Sequence, residues 1–148
     1  LVDTANEIGN LPRKLRYRKK AGKKGLDLIE EPVEAAAVLL ISMARMDRFG
    51  RVTDKQEKAI TRELYDNMQM DMEDAEDLVI QMRSITQYLN QPSSTLFPMI
   101  GILQNVISKS DARDLSEMMR RVGTVESPLD TAQTDFIRRF KDRMGLLG

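Results

Sequence analysis

Pro32 to Met46 reads Pro-Val-Glu-Ala-Ala-Ala-Val-Leu-Leu-Ile-Ser-Met-Ala-Arg-Met, with no charged residue between Glu34 and Arg45. A helix that is apolar on every side belongs in the interior of a protein. At 15 residues this one falls short of the roughly 20 that span a bilayer. The stretch therefore predicts a buried central helix against which the rest of the chain packs.

The chain has 148 residues, enough for one domain with a sizeable core. Aromatic residues make up 5% and Trp is absent, so aliphatic side chains and ten Met must fill that core. Met fills irregular gaps well because its side chain is flexible. Cys is absent, which excludes a disulfide framework, a thiolate metal site and a thiol nucleophile. This composition fits a reducing compartment. His is also absent, which removes the commonest general base and transition-metal ligand. Any metal would need oxygen ligands, as Ca²⁺ or Mg²⁺ do.

Periodicity and capping residues predict about six helices. Pro32 suits the first turn of the central helix, where its missing N–H is not needed. Thr53 followed by Gln56 has the capping-box form and opens a second helix with Ile60 and Leu64 inward, ending near Met68. Asp71 is expected to cap a third helix. Glu73, Asp74, Glu76 and Asp77 lie in its first turns, where negative charge suits the helix dipole. Leu78, Met82, Ile85 and Leu89 mark its inner face. After Gln91-Pro92-Ser93-Ser94, a fourth helix is expected from about Pro98 to Ile107, packed beside the central one. Ser110 is expected to cap a fifth helix over 111–122. Asp130 with Gln133 opens a sixth, with Phe136, Ile137, Phe140 and Met144 inward and Gly145 as its stop. No segment alternates with a period of two, so no sheet is expected. The segments Ile41–Met68 and Leu115–Met144 share one plan of helix, loop, cap and helix ending in Met. That plan suggests either two related units about a pseudo-twofold axis or the ordinary likeness of short helical hairpins.

Charge divides the chain further. Residues 1–24 hold eight basic residues against two acidic ones, a formal +6, and the remainder holds fifteen against twenty-one, a formal −6. The reading is a basic N-terminal arm over 1–25 and a helical domain over 26–148. Arg13, Lys14, Arg16, Arg18, Lys19, Lys20, Lys23 and Lys24 are candidate anion-binding residues. They could meet an anionic membrane surface or, less readily, nucleic acid, since Tyr17 is the only aromatic residue available there for stacking. The opening Leu1, where a translated chain would carry Met, points to a segment upstream and leaves a signal or anchor there open.

The approach Ala44-Arg45-Met46-Asp47 and the exit Gly50-Arg51-Val52-Thr53, repeated later around Glu126-Ser127-Pro128-Leu129-Asp130, resemble the TerB-like family, the bacterial tellurite-resistance TerB domain. The resemblance covers roughly residues 30–148 and leaves out the basic arm. It implies an all-α compact bundle, a non-enzymatic protein and a link to bacterial stress responses. It also implies acidic loops connected with divalent metal, which makes Asp47 and Glu126 the candidate metal ligands. The chain departs from the family pattern in those loops. Arg48-Phe49 is inserted before Gly50, Glu126-Ser127 replaces an Asp-Gly, and Gln56 and Gln133 stand where acidic residues are expected. Neutral amides are weaker ligands for a hard cation than carboxylates. Asp47 also fails as the start of an EF-hand, because Phe49 and Arg51 fall at the next ligand positions.

The remaining motifs have structural readings. Asp47, Asp54, Glu57, Glu126 and Asp130 are either caps and solvated charges or ligands gathered where two loops meet. Met68, Met70 and Met72 have a spacing of two, which does not share a helix face, so they read as packing residues rather than a soft-metal site. No Gly-rich phosphate loop, nucleophile elbow or metalloprotease motif is present, and no enzyme activity or cofactor is expected. The expected function is a helical module that binds a protein partner in a bacterial stress or envelope process. Exposed apolar residues beside the arm, or Leu146-Leu147, would form its docking surface. A peripheral module held on an anionic membrane or nucleic acid by its basic arm, and a divalent-cation-responsive stress protein, are the alternatives; a second copy bound through the arm is a further candidate partner. The expected location is the cytoplasm, including the inner face of the membrane.

Overall fold

A computed structural model describes residues 25–47 and 50–147. Among these residues it has six α-helices: α1 Pro32–Arg45, α2 Asp54–Asn67, α3 Met72–Thr86, α4 Leu96–Leu103, α5 Lys109–Gly123 and α6 Thr131–Arg143. Two 3₁₀ turns, Gly25–Leu28 and Pro92–Thr95, precede α1 and α4. No strand occurs among the described residues. No helix among them is long and apolar enough to cross a membrane.

Helix α1 is the axis of the bundle. Every residue from Pro32 to Ala44 is buried. Helices α2, α3, α4 and α5 and the Pro92–Thr95 turn all pack on it, while α6 covers α4 and α5. Ala35, Ala36 and Ala37 present no bulk, so neighbours approach closely. The two polar residues inside α1 are both hydrogen-bonded. Glu34 Oε1 accepts from the backbone N–H groups of Glu30 and Glu31, both at 3.2 Å, which serves the donors that a helix start leaves open. The Ser42 hydroxyl lies 2.8 Å from the Val38 carbonyl oxygen and 2.8 Å from Thr95 Oγ1.

The ends of the helices follow the capping residues, with two corrections. The expected cap at Ser110 is wrong. Ser108 caps α5 by accepting from the Asp111 backbone N–H at 3.1 Å, so that helix begins two residues earlier. The expected helix over 98–107 is instead Leu96–Leu103. The Pro92–Thr95 turn feeds straight into it, and Pro98 still lies in the first turn, where no N–H bond is lost. The helix stops because Gln104 is extended and Asn105 is left-handed, with φ of +67°. Asp71 stands at the N-cap of α3 but makes no side-chain cap bond. Met68 and Met70 join the core, as expected of packing residues. Ile85, Leu89, Ile137 and Met144 are half-buried rather than core. Gly145, with φ of +76°, ends α6 as expected. Leu146 N–H donates to the Lys141 carbonyl at 2.8 Å and Gly145 N–H to that of Asp142 at 3.1 Å, a Schellman pair.

Candidate functional site

The two corners of the shared plan meet at one end of α1. At the first, Thr53 caps α2 by accepting from the Gln56 backbone N–H at 3.1 Å, and Gln56 Oε1 accepts from the Thr53 N–H at 2.8 Å. At the second, Asp130 Oδ1 accepts from the Gln133 N–H at 2.8 Å, and Gln133 Oε1 from the Asp130 N–H at 3.0 Å. In both corners the amide nitrogen then turns back to the end of a preceding helix. Gln56 Nε2 donates to the Ala44 carbonyl at 3.4 Å and to the Asp47 carboxylate. Gln133 Nε2 donates to the Met43 carbonyl at 3.0 Å and the Gly123 carbonyl at 3.5 Å. A helix end leaves its last carbonyls without intrahelical donors. A carboxylate could not donate to them, whereas the glutamine amide does.

The sequence-predicted metal residues fall on this network. Asp47 is buried and accepts from Gln56, while Glu126 is half-buried and accepts from the Thr53 hydroxyl at 3.4 Å. The two loops therefore do meet, through Thr53. The Gln56 amide occupies the space between Asp47 and the Ala44 carbonyl, so a cation bridging those oxygens would have to displace it. No group of three or more acidic side chains with metal-binding geometry occurs among the described residues. The other loop acids act locally: Asp130 caps α6, and Glu57 pairs with Arg83 of α3. Arg45 serves the same need at the end of α3, donating from Nη1 to the Thr86 carbonyl at 2.7 Å and from Nη2 to that of Leu89 at 2.8 Å. The eight basic residues of the arm lie outside the described residues.

A second feature was not read from the sequence. Helix α4 stands as a ridge between two clefts. On one side, Met46, Leu96, Phe97 and Phe136 line a cleft of about 370 Å³ rimmed by Gln91 and Arg139. On the other, Pro98 and Ile102 face Leu26 and Ile29 across a wide, open cleft of about 710 Å³. Phe97 is 46% exposed and Val106, just beyond the helix, 53%. The Arg143 guanidinium lies 4.4 Å from the centre of the Phe97 ring, a cation–π contact. Asp135, at the rim of the first cleft, is held below the usual carboxylate range by the hydrogen bond from Arg138, with Arg139 adding to it. It therefore stays an anion beside two cations. The sequence signal was present in α4 itself. Leu-Phe-Pro-Met-Ile-Gly-Ile-Leu is apolar on all sides, and only Leu96, Met99, Ile100 and Leu103 are buried.

A family model described as tellurite resistance protein TerB matches residues 33–147, from the start of α1 to beyond the end of α6. No curated protein and no solved structure matches the chain.

Proposed function

The chain belongs to the TerB family, and on that premise we propose that it is a non-enzymatic interaction module that binds a protein partner in a bacterial stress or envelope-associated process. The observation that supports the reading is the α4 ridge. A large aromatic side chain and a proline stand exposed on a helix with no charge of its own, between two apolar-floored clefts. Contiguous apolar surface of this kind marks interaction sites on folded proteins. The partner's chemistry follows from the walls. Apolar side chains straddle the ridge, and a carboxylate meets Arg143, which already stacks on Phe97. Aromatic and Arg side chains are the groups that most often dominate binding energy at such centres. The wide cleft also borders Leu26, so the ridge lies where the basic arm joins the domain.

The test is capture from a bacterial extract with the wild-type chain and with Phe97→Asp as paired baits. The expected result is a defined protein that the wild-type chain retains and the variant loses. A partner retained equally by both would remove the ridge from the account. The absence of any stable partner would remove the interaction reading itself.

A further inference from the structure

A second groove, away from α4, lies between α2 and α3 and has a volume of about 330 Å³. Met72 and Ile80 of α3 and Thr61 of α2 line it, with Glu76 on the α3 side and Lys58, Arg62 and Glu57, which Arg83 engages, on the α2 side. Ile80 is 61% exposed and Met72 36%, although Leu78, Val79 and Met82 beside them are buried. The α3 side runs into the most acidic part of the chain. Residues 63–82 hold seven acidic and no basic residues, a formal charge of −7. Glu63 and Asp66 are engaged by Arg121 and Arg62. The other five, from Asp71 to Asp77, are exposed on the first two turns of α3.

One segment of the chain complements this groove in charge and reach. Residues 13–24 hold eight basic and no acidic residues, a formal +8, so they and residues 63–82 nearly cancel. The rest of the chain sums to −1. Leu15 and Tyr17 are the segment's only large apolar side chains. The described chain begins at Gly25, in a 3₁₀ turn that packs on α3. Twelve residues reach about 40 Å when extended. Helix α3, at 15 residues, is about 22 Å long. The segment therefore leaves from beside α3 and can run its whole length. A short tether also gives it an effective concentration on the order of millimolar at the groove, which favours its own chain over a second copy.

We propose that residues 13–24 dock along α3 of their own chain, with Leu15 and Tyr17 in the groove over Met72 and Ile80 and the basic side chains against Asp71 to Asp77. Lys58 and Arg62 on the α2 wall direct the cations to the α3 side. An anionic surface that binds the arm must then compete with α3 for it. The inference is independent of the α4 ridge, because the two surfaces share no residue.

The chain has no Cys, so a single nitroxide can be placed on the full-length protein through Ala21→Cys. In the isotope-labelled protein at low salt, amide signals should broaden at Met72 to Ile80 and Lys58 to Arg62. Raising the ionic strength to about 1 M, where the screening length is about 3 Å, should relieve the broadening. Glu73→Lys with Glu76→Lys, both exposed, should relieve it at low salt while the variant still melts in one cooperative transition. A mixture of nitroxide-bearing unlabelled chains with isotope-labelled chains lacking the nitroxide should show none. Broadening in that mixture would instead place the arm on a second copy. Broadening confined to α4 and its clefts, or none at low salt, would also overturn the proposal.

Discussion

Helices α1 and α4 look alike in the sequence and differ in the fold. Both are runs of apolar residues with almost no charge. Helix α1 is covered on every side, down to Glu34 and Ser42, each hydrogen-bonded to backbone within the core. Helix α4 is covered only on the faces turned to α1, α6 and the Pro92–Thr95 turn, and Phe97 and Pro98 remain outside. The difference lies in what packs on each. A helix with four others around it has no outer face. An eight-residue helix at the margin of the bundle keeps one, whatever its composition. An all-apolar pattern therefore identifies a helix that needs cover, and only the packing shows whether the domain supplies all of it.

The largest expected effect comes from placing a charge on the covered helix. Leu40→Asp removes a fully buried side chain and buries a carboxylate without a partner. The loss should approach the whole stability of a domain, about 5–15 kcal/mol. A thermal melt should show no cooperative transition, and a near-wild-type midpoint would mean that α1 is not the interior. Next comes Gln56→Glu at the end of the same helix. It removes the donor to the Ala44 carbonyl and sets a second carboxylate against Asp47. Denaturant unfolding at neutral pH should show a loss of about 3 kcal/mol. The loss should shrink as pH falls and the new carboxyl takes up a proton. Gln133→Glu offends the Met43 and Gly123 carbonyls and meets the exposed Asp130 carboxylate rather than a buried one, and should lose less. Equal losses at the two corners would erase the difference that Asp47 makes. Smaller again is Gly123→Ala, where α5 meets α1. A methyl there would lie 2.6 Å from Leu129 Cδ2 and 2.8 Å from Met43 Cε. Overpacking of this kind costs about 1–3 kcal/mol, and an unchanged unfolding midpoint would show that those two side chains swing aside freely.

Most of the fold was legible because its signals are local. The caps at Thr53 and Asp130 and the stop at Gly145 each depend on a few neighbouring residues, and each appears where the sequence places it. The errors arose where two local signals competed. Ser108, two residues before the expected Ser110, caps α5, and the left-handed Asn105 just past α4 has no unambiguous mark in the sequence. The candidate site was harder to read. The sequence points to Asp47, Glu126 and two glutamines as departures from an acidic pattern. It does not show that the glutamine amides reach back to helix ends, because those partners lie 10 to 90 residues away along the chain. The α4 ridge was missed for the opposite reason. Its residues look like core, and only the clefts on either side reveal the exposed face.

The measurement that tests the difference between the two helices most directly is equilibrium unfolding of Phe97→Asp beside the wild-type chain. Phe97 is 46% exposed, and its one identified special contact is the stacked Arg143, worth about 0.5–1 kcal/mol at an exposed site. The account predicts that the variant unfolds cooperatively with a loss below about 1 kcal/mol, because Phe97 belongs to a surface. A loss on the order of 3 kcal/mol, the scale of a truncated core aromatic, would show that Phe97 holds the fold together and that α4 has no outer face to offer a partner.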